Sequence, residues 1–515
     1  MATAKERKCT ILQLAGLISI GWVCWGYITQ NAVFAQKHIQ FSFLDFPIFI
    51  GEFLCFFCLL LVSFCWLIRP PRWRNIYIFP ILYGLFVIAK TIYGYQKWGP
   101  LACRHAAMHY YPIFILFGLI FFQVGAPYKE FLRKISLWIL TAVLVTHQAW
   151  EYWDLTIFLL VGIFLFHEKN KRIKYLLSAL VLISTPYWSF FNTARMFIVG
   201  NFILGVYVIS AGCLTIRINA KNKIILASVF IFLFSGSMYF FAGKYRIRSI
   251  IHIGSMYQRF TQYDALIQQK KKSFRFKNGK KVTLFHPKTK NVNLQNREVH
   301  RGNDQNAITF LLWNKTLIEC MWHWPFLRIS SNRPEESTVK KSSNISASEI
   351  ISNKQKEYQD VNNAVFRLLI WRDMAVEFMK YRPIFGFDFG KPLRSMSLET
   401  LNWGGSEWGR DGWVAAHNSY LHNIYRTGIV GLFFLGTIFV VFGRMAIGAI
   451  IYKSYTTILL CGILLSWFAA ANFLVILEVP YTAIPIWTLF GITLAHFREV
   501  KENKLEQNVT QVEKH

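Results

Sequence analysis

Long apolar runs alternate with short charged connections along most of this chain, and one long polar stretch interrupts them. Runs near the length that crosses a hydrocarbon core, roughly twenty residues, cover these segments: 12–30, 46–68, 76–94, 106–125, 133–149, 152–167, 175–191, 195–213, 224–242, 428–449, 455–476 and 481–497. The fifth, sixth and seventh runs are short or interrupted. The pattern predicts an all-α polytopic membrane protein with about twelve transmembrane helices.

The positions of lysine and arginine predict how these helices are oriented. Basic residues concentrate in the short connections after even-numbered runs, such as 69–74 and 169–174, and are few in the short connections after odd-numbered runs. By the positive-inside rule, the basic connections and both chain ends face the cytoplasm. The predicted organisation follows in chain order: helices 1–9 in 1–242, an external loop domain in 243–426, helices 10–12 in 427–497 and a cytoplasmic tail in 498–515.

The amino-acid composition is typical of a membrane protein, and the distribution of charge also predicts a basic outer surface. The chain is 54% hydrophobic and 17% aromatic, which is more apolar surface than one soluble core would use. Its formal net charge is +30, and part of the excess lies outside, between Lys244 and Arg301. This surface suits an anionic partner such as lipid phosphate, and a solvated loop is the alternative interpretation. Nucleic acid is not expected as a partner, because the basic surface lies on the outer side of the membrane.

The external segment divides by composition. Two polar parts, 268–304 and 330–359, are expected to be mobile or only locally ordered. Between them, the apolar patch 307–326 predicts an amphipathic helix at the membrane interface. A firmer helix is predicted at 361–381, because apolar residues recur near a period of 3.6 and Pro383 marks its end.

A histidine, His417, lies about ten residues before the tenth apolar run. If a helix opens near Ala416, His417 and Tyr420 share its packed face, while His422 points away and is expected at a wetted surface. An imidazole has an unperturbed pKa near neutrality, so His417 can accept a proton. A purely structural role is the alternative.

Arginines on the same outer side are the second set of candidates. Arg195 lies at the outer mouth of the eighth run, and a guanidinium at that depth needs an anion unless it reaches the headgroups. Arg367 and, with less support, Arg259 lie on the same side, and two such forks can hold a diphosphate. The sequence contains no metal-binding, P-loop, dinucleotide or nucleophile-elbow motif, so no metal and no cofactor are predicted.

Three motifs carry a family resemblance. They are Arg195 in NTARMF, Arg367–Trp371 (RLLIW) followed by Pro383–Gly390 (PIFGFDFG), and HNSYL from His417 followed by Gly428. In this order the chain resembles the O-antigen ligase family, which shares its GT-C-like glycosyltransferase fold with O-antigen polymerases and protein O-oligosaccharyltransferases. One departure is that Asp388 occupies the place of the second glycine in PxxGxG, and the next glycine is Gly390.

The resemblance implies a fold and an activity. It implies about twelve spans with a large periplasmic loop domain between helices 9 and 10, in the inner membrane of a Gram-negative bacterium. It also implies transfer of a glycan from undecaprenyl diphosphate to lipid A-core oligosaccharide, metal-independent and with inversion. In this scheme His417 is the general base and Arg195 and Arg367 bind the diphosphate. The possible supporting residues it suggests are Arg259, Asn418, Tyr420 and Trp371, the last by stacking on sugars.

Three alternatives remain open from sequence. An O-antigen polymerase uses a second lipid-linked glycan as acceptor, and a protein O-oligosaccharyltransferase uses a protein. A polyprenyl-glycan transporter would do no chemistry, but transporters place charged residues near the midplane of several spans. The central runs of this chain are nearly free of acidic residues, which favours an enzyme with its site at the outer edge.

Overall fold

A computed structural model of the protein describes residues 38–39, 48–49, 60, 74–124, 195–216, 219–251, 253–277, 347–381, 383–401, 416–478 and 480–512. These residues are mainly helical. The helices, in chain order, are α1 (Arg74–Trp98), α2 (Leu101–Tyr110), α3 (Phe114–Val124), α4 (Arg195–Thr215), α5 (Ala220–Ile251), α6 (Ile253–Lys277), α7 (Ala347–Tyr381), α8 (Met396–Leu401), α9 (Ser419–Ile451), α10 (Tyr455–Ala470) and α11 (Pro480–Val512).

The described strands are two short segments, β1 (His38–Ile39) and β2 (Ile48–Phe49), which pair antiparallel with His38 opposite Phe49. Within the second predicted span, 46–68, residues 48–49 therefore form a strand rather than a helix. The apolar character of this segment is equally compatible with a strand over so short a length.

Within the described part of the chain, three helical segments are long and apolar enough to cross a membrane: Ile78–Trp98, Ala220–Ser237 and Ser419–Ile451. Two shorter apolar helical segments, Val199–Thr215 and Tyr455–Ala470, accompany them. These segments agree with the predicted all-α membrane class. The count of twelve spans stays a prediction, because the runs at 12–30, 133–149, 152–167 and 175–191, and most of 46–68, lie outside the described residues.

Several helix bounds differ from the predicted runs. The run at 106–125 is not one helix, since α2 and α3 are joined by a 3₁₀ turn, Tyr111–Ile113, whose Pro112 cannot donate a backbone hydrogen bond. Helix α11 passes the predicted end at 497 and continues to Val512. Helix α7 begins at Ala347, so the end of the predicted polar stretch 330–359 is helical. The predicted amphipathic helix at 307–326 lies outside the described residues.

The chain divides into two compact units, the first of which comprises 1–251, 383–394 and 410–515. Residues 383–394 and 416–426 of the predicted loop domain 243–426 belong to this first unit. Its core contains the buried rings of Tyr83, Phe434 and Trp487, and the first two stack with centroids 3.9 Å apart. Burial of such rings supplies much of the packing energy of helix bundles.

The second unit comprises 252–382 and 395–409, and in its described part α6, α7 and α8 pack together. Buried Ile267 of α6 meets Val365 and Leu369 of α7. The carboxylate of Asp373 fixes the start of α8, because it accepts hydrogen bonds from Ser395 Oγ (2.6 Å) and from Ser397 N (2.8 Å). Helix α7 ends at Tyr381, as the predicted stop before Pro383 requires.

Candidate functional site

His417 lies just before α9 in an unusual backbone conformation. Its φ is +51°, in the left-handed region that few residues other than glycine adopt, although histidine is enriched there. The helix begins at Ser419 after the cap Asn418, so the predicted opening near Ala416 is wrong and His417 is not on the helix face. The Ser419 N–H donates to the carbonyl of Ala471 (3.0 Å), and this bond fixes the chain beside the imidazole.

Asn418 and Tyr420, the two predicted supporting residues of this motif, have visible structural roles. Asn418 Oδ1 accepts a hydrogen bond from Leu421 N (2.9 Å), which caps the helix. Tyr420 donates its hydroxyl to the carbonyl of Phe468 (2.8 Å) and so ties α9 to α10. Both contacts orient the helix that follows His417.

His422 is buried, at 5% exposure, and the prediction of a wetted surface position is wrong. Its Nδ1 lies 3.1 Å from Glu478 Oε2. The reason is tertiary: the turn 471–478 covers this side of α9, since Ser419 Oγ donates to Leu474 O (3.1 Å) and accepts from Leu477 N (3.3 Å). Helical periodicity alone predicted a water-exposed position for His422, because periodicity does not show which other segments pack against the helix.

Helix α9 is interrupted at Gly428, where φ is +61° and ψ is −134°. Two residues of the preceding loop fill the gap in the helical hydrogen bonds: Phe387 N donates to Tyr425 O (2.9 Å), and Ile384 O accepts from Ile429 N (2.8 Å). The contact is so close that a Cβ at Gly428 would overlap Ile384 O. A Cβ at Gly386 would likewise overlap the backbone of the helix at residues 426–427.

The glycines of two motifs that are separate in sequence therefore pack against each other. One motif is Pro383–Gly390 and the other runs from His417 to Gly428. Both lie in the first unit, and each glycine is required where the two backbones touch, because no side chain fits there.

A buried arginine that the sequence analysis did not select lies at this junction. Arg426 has 0% exposure, and its Nη1 donates to Asp388 O (3.0 Å) and to Lys391 O (2.9 Å). Its guanidinium also approaches His422 Nε2 and His105 Nε2, both at 3.5 Å. The sequence did contain a signal for this residue, because an arginine two residues before Gly428 lies next to an apolar run. Charged residues near membrane depth are rare and usually have a partner or a function.

The loop is also held from α1. Lys90 donates to the carbonyls of Phe385 and Gly386. Asp388, the residue that departs from the family motif, pairs with Lys97 (2.8 Å) and accepts from Trp98 Nε1 (3.3 Å). Burial alone would raise the pKa of Asp388, but the hydrogen bonds from Lys97 and Trp98 outweigh it and hold that pKa below its usual value.

Helix α2 contributes His105 to the same network. Its Nδ1 accepts a hydrogen bond from Gly390 N (2.9 Å), so this ring nitrogen carries no proton. Burial, together with the charge of nearby Arg426, lowers the pKa of His105 well below its ordinary value. The imidazole is therefore neutral at physiological pH and serves as an acceptor for the loop.

The predicted arginines lie in different parts of the chain. Arg195 is the first described residue of α4, and its side chain lies outside the described part. Arg367 and Trp371 are on α7 and Arg259 is on α6, all partly buried in the second unit. Burial lowers the pKa of the Arg367 guanidinium. The convergence of Arg195, Arg367 and His417 stays a prediction.

Among the described residues, no group of three or more histidine, cysteine, aspartate or glutamate side chains is arranged to hold a metal ion. No protein-family model matches the chain, and no curated protein is significantly similar to it. A functional assignment therefore depends on the motifs and contacts of this chain itself.

Proposed function

We propose that the protein is a glycosyltransferase of the O-antigen ligase type, which moves a glycan from undecaprenyl diphosphate to lipid A-core oligosaccharide on the periplasmic side of the inner membrane. The observation that supports it most is the contact between the glycines of the PxxG and HNxYLxxxxxxG motifs, Gly386 and Gly428. Residues that are conspicuous only as sequence patterns thus pack together on the helix that follows His417.

In the proposed reaction, the Nε2 or Nδ1 atom of His417 removes the proton from an acceptor hydroxyl. The hydroxyl oxygen attacks the anomeric carbon of the glycan, a new C–O bond forms, and the bond from that carbon to the diphosphate oxygen breaks. Attack from the face opposite the leaving group inverts the configuration. The undecaprenyl diphosphate departs with the electron pair, and the proposed role of Arg195 and Arg367 is to stabilise its growing charge.

The backbone of His417 supports this role. Strained conformations of side-chain-bearing residues occur often at functional sites, where they fix a group in one orientation. Here the strain is maintained by the Asn418 cap and by the Ser419–Ala471 bond, neither of which uses the imidazole. The side chain of a base held in this way needs little reorganisation when substrate binds.

The test is transfer by purified full-length protein in nanodiscs, with carrier-linked glycan as donor and lipid A-core as acceptor. We expect His417→Ala to reduce the rate by about 10²–10⁴-fold, as for loss of a general base, without a change in thermal unfolding. Arg195→Ala and Arg367→Ala should each reduce it by about 10²–10³-fold. Parent-like transfer by folded His417→Ala protein would refute the assignment.

The same assay separates the alternatives. Carrier-linked glycan offered as the acceptor distinguishes a polymerase, because only a polymerase extends it. An acceptor protein in place of lipid A-core tests a protein-directed transferase. Inhibition by a chelator would contradict the metal-independent mechanism.

A further inference from the structure

The loop that packs on Gly428 exposes two consecutive large apolar side chains. Ile384 is 68% exposed and Phe385 is 59% exposed, although this loop was predicted to belong to an aqueous external domain. Contiguous exposed apolar surface on a folded protein usually marks contact with something other than water. The position of Ile384 and Phe385 along the neighbouring helices identifies the material that contacts them.

Phe385 lies beside the middle of a candidate membrane span. Its ring packs on Phe86 with centroids 6.3 Å apart, and its carbonyl accepts from Lys90. The span in α1 runs from Ile78 to Trp98, so at about 1.5 Å per residue Phe86 is roughly 12 Å from one end and 18 Å from the other. The hydrocarbon core is about 30 Å thick, which places the Phe385 ring well inside it.

The exposed surfaces of the two flanking helices continue through the loop. Helix α1 exposes Leu82 and Leu85, and α9 exposes Ile429 and Leu432. The two helices meet at Phe79 and Phe433, whose ring centroids are 5.8 Å apart. Because Ile384 is hydrogen-bonded to Ile429, the loop lies on the same apolar surface as the spans.

Backbone polar groups inside hydrocarbon must be paired, and several of those in residues 384–388 have partners within the protein. The carbonyl of Ile384 accepts from Ile429 N, and those of Phe385 and Gly386 accept from Lys90 Nζ. The Phe387 N–H donates to Tyr425 O. The carbonyl of Asp388 accepts from Arg426. A loop in water needs no such set of partners, because water would satisfy these groups.

Polarity changes along the loop in the direction that a membrane requires. The apolar tip at Ile384 and Phe385 lies beside Phe86, whereas the Asp388 side chain pairs with Lys97 at the end of the span. Over four residues the chain therefore passes from the depth of an apolar helix centre to a charged helix end.

We propose that Pro383–Phe387 is a re-entrant membrane segment, and that Ile384 and Phe385 contact the acyl chains of the bilayer. This inference concerns placement in the membrane and holds whether or not the protein is a glycosyltransferase. The interrupted helix α9, the partly buried Lys90 and the buried Arg426 then have a common purpose, which is to satisfy backbone groups of a segment that has no access to water.

The experiment uses the full chain in nanodiscs of phosphatidylcholine with p-benzoylphenylalanine placed, in separate proteins, at Phe385, Leu85 and Arg394. Leu85 is exposed on the same apolar surface of α1, and Arg394 is exposed at the far end of the loop segment. After illumination, mass spectrometry measures adducts with lipid acyl chains. We expect a yield at Phe385 within about threefold of that at Leu85 and at least about tenfold above that at Arg394.

A second measurement needs no substitution and so cannot be confused by misfolding. Hydroxyl radicals generated in the water phase should oxidise Phe385 of the unaltered protein in nanodiscs much less than they oxidise it after transfer to denaturant. Adduct yield at Phe385 equal to that at Arg394, or oxidation in nanodiscs as extensive as in denaturant, would overturn the membrane placement.

Discussion

Replacement of Arg426 by methionine tests whether this buried guanidinium holds the 383–394 loop in place. Methionine has a similar length and fills the same space, but it cannot donate to the carbonyls of Asp388 and Lys391 (3.0 and 2.9 Å). Each lost charge-assisted hydrogen bond costs about 1.5–3 kcal/mol, or about 3–6 kcal/mol for two. Removing a charge from a fully buried site gives back about 1–3 kcal/mol. The difference spans about 0–5 kcal/mol, and its midpoint, about 2.5 kcal/mol, is the net loss expected for Arg426→Met.

Two measurements report this loss. The first is the free energy of unfolding in a fixed lipid–detergent mixture. The second is hydrogen exchange of the loop amides, above all Gly390 N and Lys391 N, which lie closest to the lost bonds. A local loss of about 2–3 kcal/mol corresponds to exchange roughly 30- to 150-fold faster. Arg426→Lys keeps the charge but lacks the planar guanidinium with its several donors, so its free energy of unfolding should lie between those of the parent and Arg426→Met.

Arg444 is the matched control, because it is an arginine on the same helix whose side chain is exposed. Arg444→Met should change the free energy of unfolding by no more than about 0.5 kcal/mol. If Arg426→Met is as stable as Arg444→Met and its loop amides exchange at the parent rate, the guanidinium does not hold the loop.

Two further predictions concern the same junction. Gly428→Ala should destabilise the protein by about 2–4 kcal/mol, because of the positive φ and the overlap with Ile384 O. At the control position Gly436 nothing lies within 4 Å of the added methyl, so Gly436→Ala should be neutral or stabilising by up to about 1 kcal/mol. Equal unfolding free energies for the two variants would contradict this prediction. Folding lowers the pKa of His105, so the unfolded chain binds more protons and the free energy of unfolding should decrease as the pH drops below 6.5. Between pH 7.5 and about 5.5 this decrease should be smaller for His105→Asn, which keeps an acceptor for the Gly390 N–H. An equal decrease in the variant would exclude His105 as its source.

Several described helices of this protein could be located from sequence because the bilayer imposes an apolar composition on them. A span must be apolar over its whole length, so the runs at 76–94, 224–242 and 428–449 correspond to α1, α5 and α9. The end of α7 before Pro383 was equally predictable, since proline disfavours helical conformation in the residue before it. These signals depend only on residues close together in sequence, so tertiary contacts do not change what they predict.

The junction around Gly428 was not predictable in the same way. Helical periodicity treats α9 as continuous and assumes that one side faces protein. In the structure a loop about forty residues earlier inserts at the break, and the 471–478 turn packs against the start of the helix. His422 and Arg426 are buried as a result, although their spacing alone places no neighbour beside them. Only the two glycines carried a signal of close approach, and a glycine does not identify its partner.

The composition of α9 argues that its first three turns are selected for something other than stability. A buried arginine and a helix break are both expensive at membrane depth, and an unbroken helix with an aliphatic residue at Arg426 would avoid both costs. The sequence instead retains Gly428, Arg426 and a neutral His105 that accepts from the loop. Beyond Gly428 the same helix is almost entirely apolar. The polar groups are thus concentrated at the end that His417 precedes, which is where a transferase of the proposed kind needs a fixed base and a fixed loop.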